Sequence, residues 1–236
     1  MNGFVKTVLM LLLSSSVAAA ANQAVIESIH AAQDVSLDLE PTSPFWRASS
    51  PVYIENDTLG KVVPLYRTEV RTRWTKNNIY FLFVCPYQQL YLKPSPTPQQ
   101  ETNQLWNWDV AEVFIGSDFK DIRRYKEFEV SPQAEWIDLD IDLHKPHHEE
   151  GWTWNSGFEV KARIDPAAHI WYATMRIPFA AIDTRPPAPG NMMRINLFRS
   201  EGPPSHQQAV TWRAPMKSTF HVPERFGLIR LLESQR

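Results

Sequence analysis

A single cysteine, Cys85, leaves the chain without an internal disulfide, so its stability has to come from packing. The residue lies in the apolar run 79–85 and is read as a small buried core residue rather than a reactive thiol. An excess of charge of one sign is also missing: 24 lysines and arginines stand against 26 aspartates and glutamates, a formal net charge of −2. That near balance argues against a nucleic-acid partner, which would need a basic face to hold phosphates. No second long apolar run follows the first twenty residues, so no membrane-spanning segment is expected beyond them. A Gly-x-Ser-x-Gly elbow, a phosphate loop and a His-Glu-x-x-His helix are all lacking, which ranks catalysis behind binding.

The N-terminus carries its own pattern. Lys6 gives a positive start, residues 8–13 an unbroken apolar run, and residues 14–21 end in small side chains of the Ala-x-Ala kind. Residues 1–21 therefore read as a cleaved secretory signal peptide, with an apolar run too short to cross a bilayer. Residues 22–236 are then expected to form one domain, secreted or periplasmic, with no stable membrane insertion after cleavage.

In that domain, apolar and aromatic residues alternate in short runs broken by Pro, Asn, Asp and Gly. The clearest runs are 68–74, 79–85, 111–115, 126–130, 136–143, 158–164, 170–177, 193–198 and 227–232. Alternation of period two marks strands half buried in an antiparallel sheet. Nine or more such strands with few helical stretches predict an all-β fold, an antiparallel β-sandwich of the jelly-roll kind. Two turns are legible, Lys76-Asn77-Asn78 and Ser131-Pro132-Gln133-Ala134. The proline-rich stretch 93–103 reads as an extended surface excursion, and 185–190 as a stiff connector.

The segment 105–115 (LWNWDVAEVFI) places aromatic and acidic groups at the mouth of a strand. Ala111, Val113 and Ile115 can face the core, which turns Glu112 and Phe114 to the opposite face. A carboxylate beside an indole suits a sugar: the ring packs on the apolar face of a pyranose while the acid accepts bonds from hydroxyls. Spacing alone also allows Trp106 and Trp108 to be core aromatics with Glu112 merely solvated.

Several pieces agree in order with one family. They are Pro44-Phe45-Trp46-Arg47-Ala48, the run from Trp106 through Asp109 to Glu112-Val113-Phe114-Ile115, Glu127-Phe128-Glu129-Val130-Ser131-Pro132, Arg176-Ile177-Pro178-Phe179, residues 194–199 (RINLFR) and the closing Phe226-Gly227. Together they resemble the family 9 carbohydrate-binding modules and their stand-alone relatives. The resemblance implies a β-sandwich that clamps a sugar chain, an oligo- or polysaccharide, between two tryptophans without cleaving it. Trp106 matches the first tryptophan and Glu112 the acid that holds hydroxyls, while Trp212 stands as the second tryptophan. Asn196, Arg199 and Arg213 are the further candidate hydrogen-bond donors, with Asp109 bracing the loop. A sugar-binding arginine of the family falls near Glu129, where this chain has an acid that cannot donate as a guanidinium does.

No cofactor is required by this reading. Asp138, Asp140 and Asp142 alternate with Ile137, Leu139 and Ile141 and share one strand face, where hard oxygen ligands suit a structural calcium ion. The same spacing equally fits a solvated acidic face. His144, His147 and His148, with Glu149 and Glu150, match no ordered zinc spacing and read as a solvated loop. Two alternatives to a binding module remain. One is a glycoside hydrolase or its accessory subunit; the other is a haem-binding sandwich with axial ligands from Met192, Met193, Met216 or His221.

Overall fold

The computed structural model describes residues 24–234; the signal peptide read in 1–21 lies outside them. The described residues form twelve strands, nine of which coincide with the alternating runs. The twelve are β1 (Val25–His30), β2 (Val52–Ile54), β3 (Thr68–Trp74), β4 (Asn78–Pro86), β5 (Val110–Gly116), β6 (Arg124–Val130), β7 (Trp136–Asp142), β8 (Glu159–Asp165), β9 (Ile170–Pro178), β10 (Met192–Glu201), β11 (Gln208–Thr211) and β12 (Gly227–Leu232). Two four-residue helices, α1 (Pro44–Arg47) and α2 (Phe179–Ile182), complete the regular elements alongside short 3₁₀ turns.

Hydrogen bonding runs in the order β7-β6-β5-β10-β12-β1-β3-β4-β9-β8, with β11 added to β10 and β2 to β3. The ribbon folds over on itself, so that the β7-β6-β5-β10 half and the β3-β4-β9-β8 half share one inner core. Val113, Ile115, Phe128 and Val130 from the first half meet Phe81, Phe83, Trp171 and Met175 from the second. Each fully buried side chain of this size contributes about 1.5–3 kcal/mol by leaving water. Cys85 belongs to the same cluster, and burial pushes its thiol up to about 12, so it is a packing residue.

The all-antiparallel expectation needs one correction. β1 pairs in parallel with both β12 and β3, so the fold is a mixed sheet. Long connections separate β1 from β3 and β11 from β12, and no hairpin fixes the direction in which β1 enters. The buried Arg73 guanidinium then secures this strand, donating to the carbonyls of Ile29, His30 and Phe45. β1, β2 and β11 are the strands that alternation did not reveal, and β2 and β11 are only three and four residues long.

Both predicted turns form. Thr75 N donates to the Asn78 carbonyl at 2.8 Å, and Ser131 N to the Glu135 carbonyl at 2.9 Å. The stretch 93–103 is less free than its composition implies. Fully buried Glu135 accepts from Lys93 Nζ (3.0 Å) and Thr97 N (3.2 Å), and Trp136 Nε1 donates to the Pro98 carbonyl (3.2 Å). This segment is strapped along the edge of the first half.

Gly227 opens β12 beneath the ring of Trp212. A Cβ there would stand 2.6 Å from two ring atoms and 2.7 Å from the Ala24 carbonyl oxygen. Overpacking of this kind costs about 1–3 kcal/mol. Gly227→Ala is therefore expected to lower the unfolding free energy by that amount in urea titration, and an unchanged midpoint would mean that the ring does not rest there.

Candidate functional site

Strand β5 presents Ala111, Val113 and Ile115 to the inner core, so Glu112 and Phe114 emerge on the outer face of the first half. Register then decides their neighbours. Glu112 lies opposite Glu129 on β6 and Phe198 on β10, while Phe114 lies opposite Glu127 and Asn196. Directly paired residues share a face, so Glu112, Glu127 and Glu129 converge. A second apolar cluster surrounds them on this face, including Leu105, Phe114, Tyr125, Leu139, Ile141, Phe198 and Phe226.

Three irregular segments stand over this face and enclose a cavity of about 400 Å³. Its floor is Glu112, Phe114, Glu127, Leu139, Ile141 and Ser200; Trp106 and Gln207 form one side, Ser218 to His221 another, and His148 with Glu149 a third. Trp106 is half-buried, and its carbonyl accepts from Gln207 Nε2 at 3.0 Å. Phe220 supplies the second large aromatic ring, stacked on Phe198 at 4.2 Å between centroids and 11° between planes.

The loop carrying Trp106 is fixed by Asp109. This buried carboxylate accepts from Tyr91 N at 2.9 Å and from Gly202 N at 2.7 Å, tying the stretch before the loop to the end of β10. Trp108 stacks on Tyr91 at 4.7 Å and takes no part in lining the cavity.

The three glutamates are nearly sealed from water, at 2, 4 and 0 % exposure for Glu112, Glu127 and Glu129. One oxygen from each lies within 4.8 Å of the others. Glu112 Oε1 accepts from Ser200 Oγ at 3.2 Å. Among the described residues, Glu127 Oε2 and both oxygens of Glu129 meet no hydrogen-bond donor. Burial raises all three carboxyls, Glu127 to about 7 and the other two well above the ordinary range, and neighbouring carboxylates add to the rise of Glu112 and Glu129. Two full charges at that separation repel by roughly 3 kcal/mol at an effective dielectric constant of 20.

Other residues named from the sequence lie elsewhere. Trp212 points to the inner core beneath which Gly227 packs, so it cannot face Trp106 across the cavity. Arg199 has the wrong parity: it neighbours Phe198, which pairs with Glu112, and so is buried on the inner side. There it is ion-paired with Glu201, donates to Thr68 Oγ1 (3.1 Å) and lies between Tyr66 and Trp171. Asn196 spends its carboxamide on backbone, donating to the Arg213 carbonyl (2.9 Å) and accepting from Arg213 N (3.0 Å). Arg213 is half-buried at that contact, outside the cavity lining.

Asp138, Asp140 and Asp142 do share a face of β7, opposite Phe128, Lys126 and Arg124. Asp138 accepts from Ser156 N at 2.6 Å, Asp140 pairs with Lys126 at 2.6 Å and Asp142 with Arg124 at 3.4 Å, so bases already balance two of the charges. The candidate haem ligands do not converge. Met193 faces the inner core, Met192 and Met216 are exposed, and His221 lies on the other face of the sheet against Phe114. Glu127, Ser200 and Phe220 were not singled out as site residues. Glu127 shares the parity of Glu129 within β6 and was recoverable on that ground, whereas Phe220 sits in an irregular segment with no periodic signal.

Fold and site together define a β-sandwich with an aromatic, acid-floored cavity on the outer face of one sheet. Residues 44–234 match the family described as carbohydrate family 9 binding domain-like, and the chain belongs to that family. A relative from Arthroderma benhamiae described as "Extracellular protein" is 24% identical over 179 residues, covering 70% of this chain and 79% of its own. The fold is similar to a family 9 carbohydrate-binding module from Caldicellulosiruptor kristjanssonii solved with cellotriose (TM-score 0.62, 14% identity, 90% of this chain and 95% of that one). It is likewise similar to such a module from the same organism solved with glucose (TM-score 0.61, 15% identity, 89% and 97%).

His221 gives this site a pH signature. Its Nδ1 lies 2.6 Å from the Tyr125 hydroxyl, and its ring packs 5.2 Å from Phe114 and 4.3 Å from His148. Burial, then the neighbouring His148, lower it from 6.5 to about 3. An imidazole held neutral only in the fold contributes stability above about pH 6.5 that is lost as the pH falls toward 3. NMR titration of the His221 ring is expected to show no midpoint between pH 5 and 8, and an ordinary midpoint near 6.5 would place the ring in solvent.

Proposed function

We propose that the protein is exported and binds carbohydrate without cleaving it, with a sugar ring packed on Trp106 over the carboxylate of Glu112. The observation that carries this reading is that a half-buried indole and a carboxylate line one cavity of about 400 Å³. Phe114 and Phe220 add apolar surface, and Ser200 and Gln207 add groups that exchange hydrogen bonds with hydroxyls. Phe220 takes the part that the sequence assigned to Trp212. The family, and relatives solved with cellotriose and glucose, make gluco-oligosaccharides the first ligands to try. Export is supported by the leader-like start and by a relative described as extracellular.

Cleavage of a glycosidic bond needs two carboxyls on either side of it. Glu112, Glu127 and Glu129 stand side by side on one floor, an arrangement suited to holding hydroxyls rather than to flanking a bond.

Trp106→Ala is expected to abolish binding of cellotriose in calorimetry while leaving the far-ultraviolet circular dichroism unchanged. Trp212→Ala, by contrast, is expected to destabilise the fold. Undiminished affinity in Trp106→Ala would reject the site, and release of reducing ends from the oligosaccharide would mark an enzyme instead.

A further inference from the structure

The floor of the cavity gathers three carboxyl groups with too few hydrogen-bond partners. Glu112 and Glu127 line the cavity, and Glu129, fully buried beside them, brings a carboxylate oxygen within 4.8 Å of theirs. Both oxygens of Glu129 and one of Glu127 meet no donor among the described residues. An arginine or lysine is the usual remedy for such a cluster, yet Arg199 is committed to Glu201 on the other side of the sheet and Lys126 to Asp140. A proton shared between Glu127 and one oxygen of Glu129 would still leave the other oxygen of Glu129 without a partner.

We propose that Glu112, Glu127 and Glu129 hold a divalent cation of the hard, oxygen-seeking kind, calcium being the best fit, at the floor of the cavity. Ligand oxygens about 2.3–2.6 Å from a calcium ion lie at most about 5 Å from one another. The three glutamate oxygens, all within 4.8 Å of each other, meet that condition. Three carboxylates leave coordination positions open on the side of Glu112 and Glu127, which is the side of the cavity. On the carbohydrate reading, on which this step rests, two neighbouring sugar hydroxyls take those positions while the ring lies on Trp106. Glu112 then acts on the sugar through the ion as well as directly.

The test uses the full mature chain stripped with a chelator. Calcium alone is titrated in calorimetry, and terbium in its place is followed by luminescence sensitised through tryptophan excitation. One saturable equivalent is expected, with a rise in melting temperature on adding calcium. Glu129→Gln, which keeps the shape and removes the charge, should weaken calcium binding by at least about tenfold; Glu112→Gln serves in the same role if that variant fails to fold. Asp140→Asn should leave calcium binding unchanged. Absence of saturable binding at millimolar calcium overturns the proposal, as does binding that survives in both glutamine variants or disappears in Asp140→Asn. The two readings separate cleanly. Cellotriose binding that persists unchanged in chelator overturns the role of the ion and leaves the sugar site standing. Calcium binding lost in Glu129→Gln in a protein that takes no sugar supports the ion site and removes the sugar reading.

Discussion

Everything at the cavity depends on one strand being covered on both faces. All seven residues of β5 are buried, the inward set by the sandwich core and the outward set by loops. A carboxylate on such a strand has no bulk water to turn to, so its state is set by whatever its register partners offer. For Glu112 these partners are Glu129 and, on the next pair, Glu127, with the Ser200 hydroxyl donating from β10. The strict two-residue period of the strand and the register of β6 thus concentrate three acidic groups at one spot.

Two buried acids a short distance apart show how differently the fold treats the same group. Asp109 accepts two backbone N–H groups and is thereby turned into a brace that holds the Trp106 loop to the end of β10. Glu129 is equally buried and receives nothing comparable. Asn196 belongs with Asp109: its carboxamide is consumed by the backbone of Arg213 and fixes the start of the segment that leads to Phe220 and His221. Asp109 and Asn196, whose polar atoms are taken up by backbone, fix the segments around the cavity, whereas Glu127 and Glu129 keep oxygens without a donor at its floor.

That distinction explains which parts of the molecule could be read from its sequence. Alternation within a strand is a local property, so the strand from 68 to 74, the outward turn of Glu112 and Phe114 and the burial of Cys85 were all legible. Pairing between strands is not local. Whether Arg199 or Ser200 joins Glu112 depends on β10 meeting β5 with Phe198 opposite Glu112, a register that no spacing within either strand reveals. The same limit hid the parallel entry of β1 and the convergence of Glu127 with Glu112. Trp212 follows Thr211, which pairs with Phe198, and the parity of that short strand turns its indole inward, so a tryptophan chosen for its chemistry proved to be packing.

The two faces of the first half of the sandwich work against each other energetically. Phe128 and Val130 point inward from β6 and contribute burial of apolar surface, while Glu127 and Glu129, the residues interleaved with them, oppose folding because charge is withdrawn from water beside like charge. Apolar side chains of similar volume on that outer face would give a more stable sheet. Nothing in the packing of the inner core calls for the acids, since the core is complete without them. A fold whose inner face suffices for stability, and whose outer face spends part of it on unsatisfied carboxylates under two aromatic rings, has the energetic form of a binding site, in which a ligand or ion supplies the interactions the protein leaves open.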